Sequence, residues 1–193
     1  MERVFQNTDG TAFLDKGIFT NEQLLENCII DIESQLEERP EIIIFGKKCK
    51  QQRNVGFFSN ESIGYKYSNK MMKSKPLSTS MNELLLIINT TIDTEFNGIL
   101  VNKYMDGNDY ISAHSDDETG LDKSGVVSIS YGAERKFRIR DKKSKEIMFD
   151  ENTTNGCILH MGGNFQELYT HEVPIQKKIK EHRISFTFRK HNI

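Results

Sequence analysis

The stretch NKYMDGNDYISAHSDDE, Asn102 to Glu118, follows the apolar run Ile99–Leu100–Val101 and leads the chain from a buried strand into chemistry. That run is short and rich in branched residues, as a strand packed on a sheet requires, and Asp106–Gly107–Asn108 then supplies a turn. His114 and Asp116 stand two residues apart. On an extended strand this spacing turns both side chains to one face, where an imidazole and a carboxylate can share a metal ion. Iron(II) in non-haem oxygenases takes two histidines and one carboxylate on one face of its octahedron. The second histidine must come from elsewhere, and His171, in a strand-like segment, is the best candidate. By itself a His-x-Asp pair is a weak signal, because a polar surface turn has the same composition.

The surrounding pattern predicts the architecture. From Phe96 onward short strand-like segments recur at residues 98–104, 126–131, 135–140, 146–149, 156–160, 168–173 and 184–189, with turns such as Gly132–Ala133 and Asn155–Gly156 between them. Residues 141–145 read as a solvated hairpin tip. Upstream, Thr20 and Gln23 form a capping-box pattern ahead of Leu24, Leu25, Cys28, Ile29, Ile32 and Leu36 at helical spacing, and Glu38–Arg39–Pro40 ends that helix. A second helix is predicted over residues 78–92, with Leu84, Leu85, Ile87 and Ile88 on its buried side. Residues 1–16 read as a short lead-in with one strand near residues 12–14. The expected fold is α+β and mainly β: an antiparallel, jelly-roll-like sandwich backed by N-terminal helices. One domain over residues 1–193 is expected, with a recognition region at 40–75 and a β core at 96–190.

Composition narrows the partners. The chain of 193 residues has a formal charge of −2, so the average charge does not announce a nucleic-acid binder. Its distribution is more informative: from Arg39 to Lys75 there are nine Lys and Arg against two Glu, a local basic excess. A solvated lysine-rich face reads the same way. Three scattered cysteines exclude a disulfide framework or a cysteine zinc site and suit a reducing, intracellular compartment. No signal-peptide pattern and no run of membrane-spanning length occurs, so a soluble protein is expected.

Several ordered motifs together carry a resemblance. FGK at Phe45–Lys47, YKY at Tyr65–Tyr67, HSDDE at His114–Glu118, SISYG at Ser128–Gly132, HEVP at His171–Pro174 and RISFTFRK at Arg183–Lys190 resemble the AlkB family of Fe(II)/2-oxoglutarate dioxygenases, which repair alkylated nucleic-acid bases. The likeness is to the eukaryotic duplex-DNA branch and covers roughly residues 17 to 190. It implies a double-stranded β-helix with Fe(II), 2-oxoglutarate and O2 as cofactor and co-substrates. The implied reaction oxidises an N-linked methyl group, which leaves as formaldehyde while 2-oxoglutarate becomes succinate and CO2. The implied partner is DNA, or RNA, acted on by a monomer in the nucleus or cytoplasm.

Residue by residue, the resemblance assigns the metal to His114, Asp116 and His171. It assigns the far carboxylate of 2-oxoglutarate to Arg183, with Asn102, Tyr104, Ser185 and Thr187 nearby and Arg189 closer to the metal-chelating end. An arginine fork suits a carboxylate better than a lysine does. Phe45, with Gly46 and Lys47, is expected to wedge into the duplex where a damaged base swings out. Tyr65, Lys66 and Tyr67 are expected at the base pocket, Asp117 and Glu118 against a cationic base, and Arg53 on the DNA. Tyr67 stands where the family commonly has phenylalanine, Ser115 replaces a longer side chain, and the loop at Thr119–Gly120–Leu121 differs. These departures bear on substrate range and leave the iron and co-substrate positions complete. Two other readings stay open: a catalytically silent nucleic-acid-binding module, and a same-fold oxygenase acting on RNA, protein or a small molecule.

Overall fold

A computed structural model describes residues 1–44, 46–62, 64–67, 70–117, 121–122 and 124–192, leaving aside the side chains of Ile44, Tyr65, Lys66, Tyr67 and Lys70. The chain begins with β1 (Glu2–Gln6) and β2 (Ala12–Ile18), followed by helix α1 (Glu22–Ile32). Two small hairpins come next, β3 (Glu41–Ile44) with β4 (Lys47–Lys50), and β6 (Gly64–Tyr67) with β7 (Lys70–Lys73), separated by β5 (Asn54–Phe58). Helix α2 (Thr79–Ile92) precedes β8 (Gly98–Tyr104), β9 (Ile111–His114), β10 (Val126–Gly132), β11 (Arg135–Asp141), β12 (Ile147–Thr153) and β13 (Cys157–Gly163). The one-turn helix α3 (Phe165–Leu168), β14 (Tyr169–Val173) and β15 (Arg183–Arg189) complete it.

Two antiparallel sheets result, one ordered β1-β2-β13-β10-β15-β8-β5 and the other β12-β11-β14-β9. This is the jelly-roll-like sandwich expected from the pattern. Its helical backing follows from alternation: Ile99 and Val101 of β8, Val127 and Ile129 of β10, and Ile184, Phe186 and Phe188 of β15 point to one side of the large sheet. There they meet Leu24, Leu25, Cys28 and Ile32 of α1 and Met81, Leu84 and Ile88 of α2. A second apolar cluster fills one end of the space between the sheets, joining Leu14, Val126, Leu159 and Met161 to Phe137, Ile139, Phe165 and Tyr169.

Three differences from the sequence reading follow from packing and strand pairing. The first helix is capped by Asn21, whose side chain accepts from the Leu24 amide, so the cap lies one residue beyond Thr20. Both Thr20 and Asn21 suit an N-cap, and the position of the buried stripe decides between them. Residues 1–16, expected as a lead-in, instead contribute β1 and most of β2, which extend the large sheet through β13. Strand β5 is not visible in the pattern because Gly56 interrupts its five residues. A side chain there would meet Leu36 and Phe58 at 2.8 and 2.9 Å, so the glycine is required by close packing.

Candidate active site

The other face of the same three strands is polar. Opposite the core side chains stand Asn102 and Tyr104 of β8, Ser128 and Ser130 of β10, and Arg183, Ser185, Thr187 and Arg189 of β15, all buried. Strand register stacks them in rungs: Ser185 lies between Asn102 and Ser130, and Thr187 between Leu100 and Ser128. All of these but Ser130, together with Arg53, Ile111, His114, Asp116, Phe137, Met161, His171 and Val173, line one cavity between the sheets.

The histidines come from the small sheet. In the β9–β14 pairing His114 sits directly opposite His171, which is the geometry that brings cross-strand side chains into contact. Their rings are 4.3 Å apart between centroids, and Phe137 stacks on His171 at 5.3 Å. Asp116 does not reach them along a strand as expected, because β9 ends at His114 and the chain bends. The bend still turns its carboxylate inward. Asp116 Oδ2 lies 3.6 Å from His171 Nε2, and Oδ1 lies 3.8 Å from His114 Nε2. Among the described residues this is the one group of three or more His, Cys, Asp or Glu able to hold a metal ion, its ligand atoms within 4.8 Å of one another.

Protonation favours a cation. His114 Nδ1 lies 2.8 Å from the Ser112 carbonyl oxygen, so the proton belongs on Nδ1 and Nε2 presents its lone pair. Burial, reinforced by the His114 imidazole, pushes His171 down to about 3, although the Asp116 charge opposes this. His114 is also lowered, chiefly by burial. Burial would raise the Asp116 carboxyl, but the Arg189 guanidinium, through its charge and hydrogen bond, outweighs it and holds the group below its ordinary value. Two neutral imidazoles and an ionised carboxylate are the forms a divalent metal binds. Asp116 Oδ2 has no hydrogen-bond donor among the described residues, so the donor set fits a metal ion.

Two buried arginines stand in the cavity. Arg183 is buried, donates from Nη2 to Ser130 Oγ at 2.8 Å and sits 5.4 Å from the centre of the Tyr104 ring. Its Nε and Nη1 make no hydrogen bond among the described residues. Buried donors left in this state are costly, and a carboxylate is the partner their fork matches. Arg189 donates to Asp116 Oδ1, beside the His114–Asp116–His171 group. The side chains leave a cavity of about 40 Å³, room for a few waters. On the far side of the Asp116–Arg189 pair lies a roomier hollow of about 380 Å³ that Asp117, Val126 and Gln166 help to line.

The expected nucleic-acid residues divide. Arg53, expected on the DNA, is buried in the cavity wall and donates to Asn102 Oδ1 at 2.6 Å. Asp117 is exposed and paired with Lys142 at 2.5 Å, so residues 141–145 are more than a solvated tip. Lys47 and Lys48 are exposed on β4, and Gly46 takes φ +76° in the two-residue connection of that hairpin. Tyr65, Lys66 and Tyr67 form β6, but their side chains lie outside the described residues, as do Phe45 and Glu118 altogether. Sequence reasoning missed Gln166, which binds the Asp116 backbone, and Phe137, which stacks on His171. Neither belongs to a motif; an aromatic at an inward strand position was the sole available hint for Phe137.

With this fold and this site, the chain belongs to the 2OG-Fe(II) oxygenase superfamily, whose pattern matches residues 13–189. The superfamily's cofactor and co-substrates are Fe(II), 2-oxoglutarate and O2. The chain is similar to DNA oxidative demethylase ALKBH2 of Bos taurus, 29% identical over 76% of this chain and 56% of that protein. It is also similar to alpha-ketoglutarate-dependent dioxygenase alkB homolog 3 of Bos taurus, 32% identical over 66% of this chain and 48% of that protein. It thus spans about half the length of these curated relatives. The solved structure of OsALKBH1 has the same fold, with a TM-score of 0.62 at 17% identity over 98% of this chain and 100% of that chain. The resemblance to AlkB proteins is borne out. No helix among the described residues is long and apolar enough to cross a membrane.

Proposed function

We propose that the chain is an Fe(II)- and 2-oxoglutarate-dependent dioxygenase that removes alkyl groups from DNA bases of the 1-methyladenine and 3-methylcytosine type, releasing formaldehyde. The observation that carries this reading is a single cavity that holds His114, Asp116 and His171 together with a buried Arg183 whose Nε and Nη1 have no partner among the described residues. Bound iron would supply the activation of O2 that oxidation of an inert N-methyl group requires. The chain's own residues supply position. His114, Asp116 and His171 would hold the metal ion. Arg183, with Tyr104 and Ser130 beside it, takes the distal carboxylate of 2-oxoglutarate and so fixes which end of the molecule reaches the metal. Arg189 steadies the Asp116 carboxylate and would serve the keto-acid end of the co-substrate, with Asn102, Ser185 and Thr187 lining the same cavity.

The substrate assignment rests on the ALKBH2 likeness and on the exposed lysines of the β3–β4 hairpin, which can hold phosphates without reading sequence. The resemblance gives the wedge's role to Phe45, next to Gly46 in the sequence. RNA is the alternative polymer. We assign the protein to a reducing intracellular compartment, nucleus or cytoplasm, where it acts as a monomer; its free Cys28, Cys49 and Cys157 support the compartment.

The deciding experiment is anaerobic reconstitution with Fe(II), then formaldehyde release from matched 3-methylcytosine oligonucleotides, single-stranded and duplex. Release that requires iron, 2-oxoglutarate and O2 is the expected result. Succinate without formaldehyde would keep the oxygenase and discard the substrate. Neither product from iron-loaded protein would overturn the enzyme reading in favour of a silent binding module.

A further inference from the structure

The segment Ser115–Asp116–Asp117 carries the carboxylate of the metal cluster yet lies beyond the end of β9, so no sheet ladder holds it. Each of its three residues is instead tied by a side-chain bond. Ser115 Oγ donates to the Tyr169 carbonyl at 2.8 Å. The Asp116 amide donates to Gln166 Oε1 at 2.8 Å. Lys142 Nζ donates to Asp117 Oδ2 at 2.5 Å and to the Gln166 carbonyl at 3.1 Å. All three ties therefore run to residues 166–169 or to the lysine bound to them. That anchor is firm: Phe165 is fully buried in the inter-sheet core, and the Asn164 amide donates to the Thr11 carbonyl at 2.8 Å.

The Asp116 tie matters most. A buried backbone N–H must find an acceptor, and off the strand the ladder cannot provide one. Gln166 supplies it, and the direction of the amide is fixed because only its oxygen can accept. Once the peptide is held, the Asp116 side chain has few ways to point other than toward His114 and His171.

We infer that Gln166 is a positioning residue for the metal site, holding the Asp116 carboxylate in its binding orientation, with Ser115 as a second tether. This rests on the proposed metal assignment. It also gives Ser115 a role: its short hydroxyl reaches the Tyr169 carbonyl, where the family's longer side chain is absent.

The test is Co(II) titration of the apoprotein, followed by visible absorption, with thermal unfolding measured in parallel. Gln166→Met keeps the length and removes the acceptor, whereas Gln166→Glu keeps an acceptor oxygen. Loss of an outer partner of a metal ligand typically costs about 10- to 100-fold in metal affinity. That rise in the Co(II) Kd, with an altered ligand-field spectrum, is expected for Gln166→Met, while Gln166→Glu stays close to the parent. Parent-like affinity and spectrum in Gln166→Met would overturn the inference, as would equal losses in both variants, which would make packing the cause. Ser115→Ala leaves α3 untouched and carries the same test should Gln166→Met fail to fold; unchanged Co(II) binding there overturns the tether. Asp116→Ala separates the two levels: if it binds Co(II) as the parent does, the metal assignment itself has failed.

Discussion

The cavity floor and the two hairpins are the two regions through which the proposed enzyme would meet its ligands, and they are built on opposite terms. The floor is the inner face of β8, β10 and β15. Each of its polar residues alternates with a core residue on the same strand, so Ser185 and Thr187 are interleaved with Ile184, Phe186 and Phe188. A one-residue slip in β15 would put phenylalanines in the cavity and arginines against the helices. The hairpins β3–β4 and β6–β7 are two-stranded sheets outside both main sheets, a size that has little stability of its own. All of Lys47, Lys48, Cys49 and Lys50 are exposed. The contrast teaches that the cavity residues are locked into the fold by alternation with the core, whereas the hairpins are tied to it at few points, such as Ile42 and Met72.

The sharpest way to break this comparison is Asp116→Ala, expected to abolish formaldehyde release while far-ultraviolet circular dichroism and the unfolding transition stay native. Full activity in that variant would remove the iron assignment. Next in size is the opposite face of the floor. Phe186 is fully buried among the helices, and Phe186→Ala should destabilise the protein by about 3–5 kcal/mol, read as a fall in Tm. A loss no larger than that of Ser185→Ala would show that the two faces are not energetically distinct.

Arg183→Ala tests the floor's ligand end. Hydrogen bonds to charged groups contribute about 1.5–3 kcal/mol each, so the 2-oxoglutarate requirement should rise by about 10- to 100-fold. The rate at saturating co-substrate should be largely retained. A fall in that rate with KM unchanged would move Arg183 from binding to the reacting end.

On the hairpin side, removing Lys47, Lys48 and Lys50 together should weaken duplex binding. It should also flatten the salt dependence, by about one log unit of slope for each phosphate no longer neutralised. Succinate formation without DNA should be untouched. Phe45→Ala should produce the smallest change, lowering action on duplex more than on single strands. Equal losses on both polymers would discard the wedge.

Much of the floor was legible in advance because alternation is a local signal. Arg183, Ser185, Thr187 and Arg189 occupy alternate positions of a strand, so the sequence alone places them on one face. The apolar stripes of α1 and α2 were legible for the same reason, since helical spacing records which side is buried. What escaped notice was non-local. Arg53 looks like an exposed cation among lysines, and nothing in its neighbourhood shows that β5 will pair with β8 and bury it against Asn102. Gln166 carries no motif, and its bond to the Asp116 amide spans 50 residues. Residues 1–16 show little in the pattern because β2 joins the sheet only through the distant β13, and β1 only through β2.

The sequence by itself therefore determined the residue types of the site, the faces they occupy and the class of fold that can enclose them. Only the tertiary structure decided that His171 stands opposite His114, that Asp116 reaches them from a bend, and that Gln166 holds that bend. The physical reason is that periodicity fixes where a side chain points relative to its own strand. Which strands become neighbours depends on burying all the apolar faces at once, a property of the whole chain and of no single stretch.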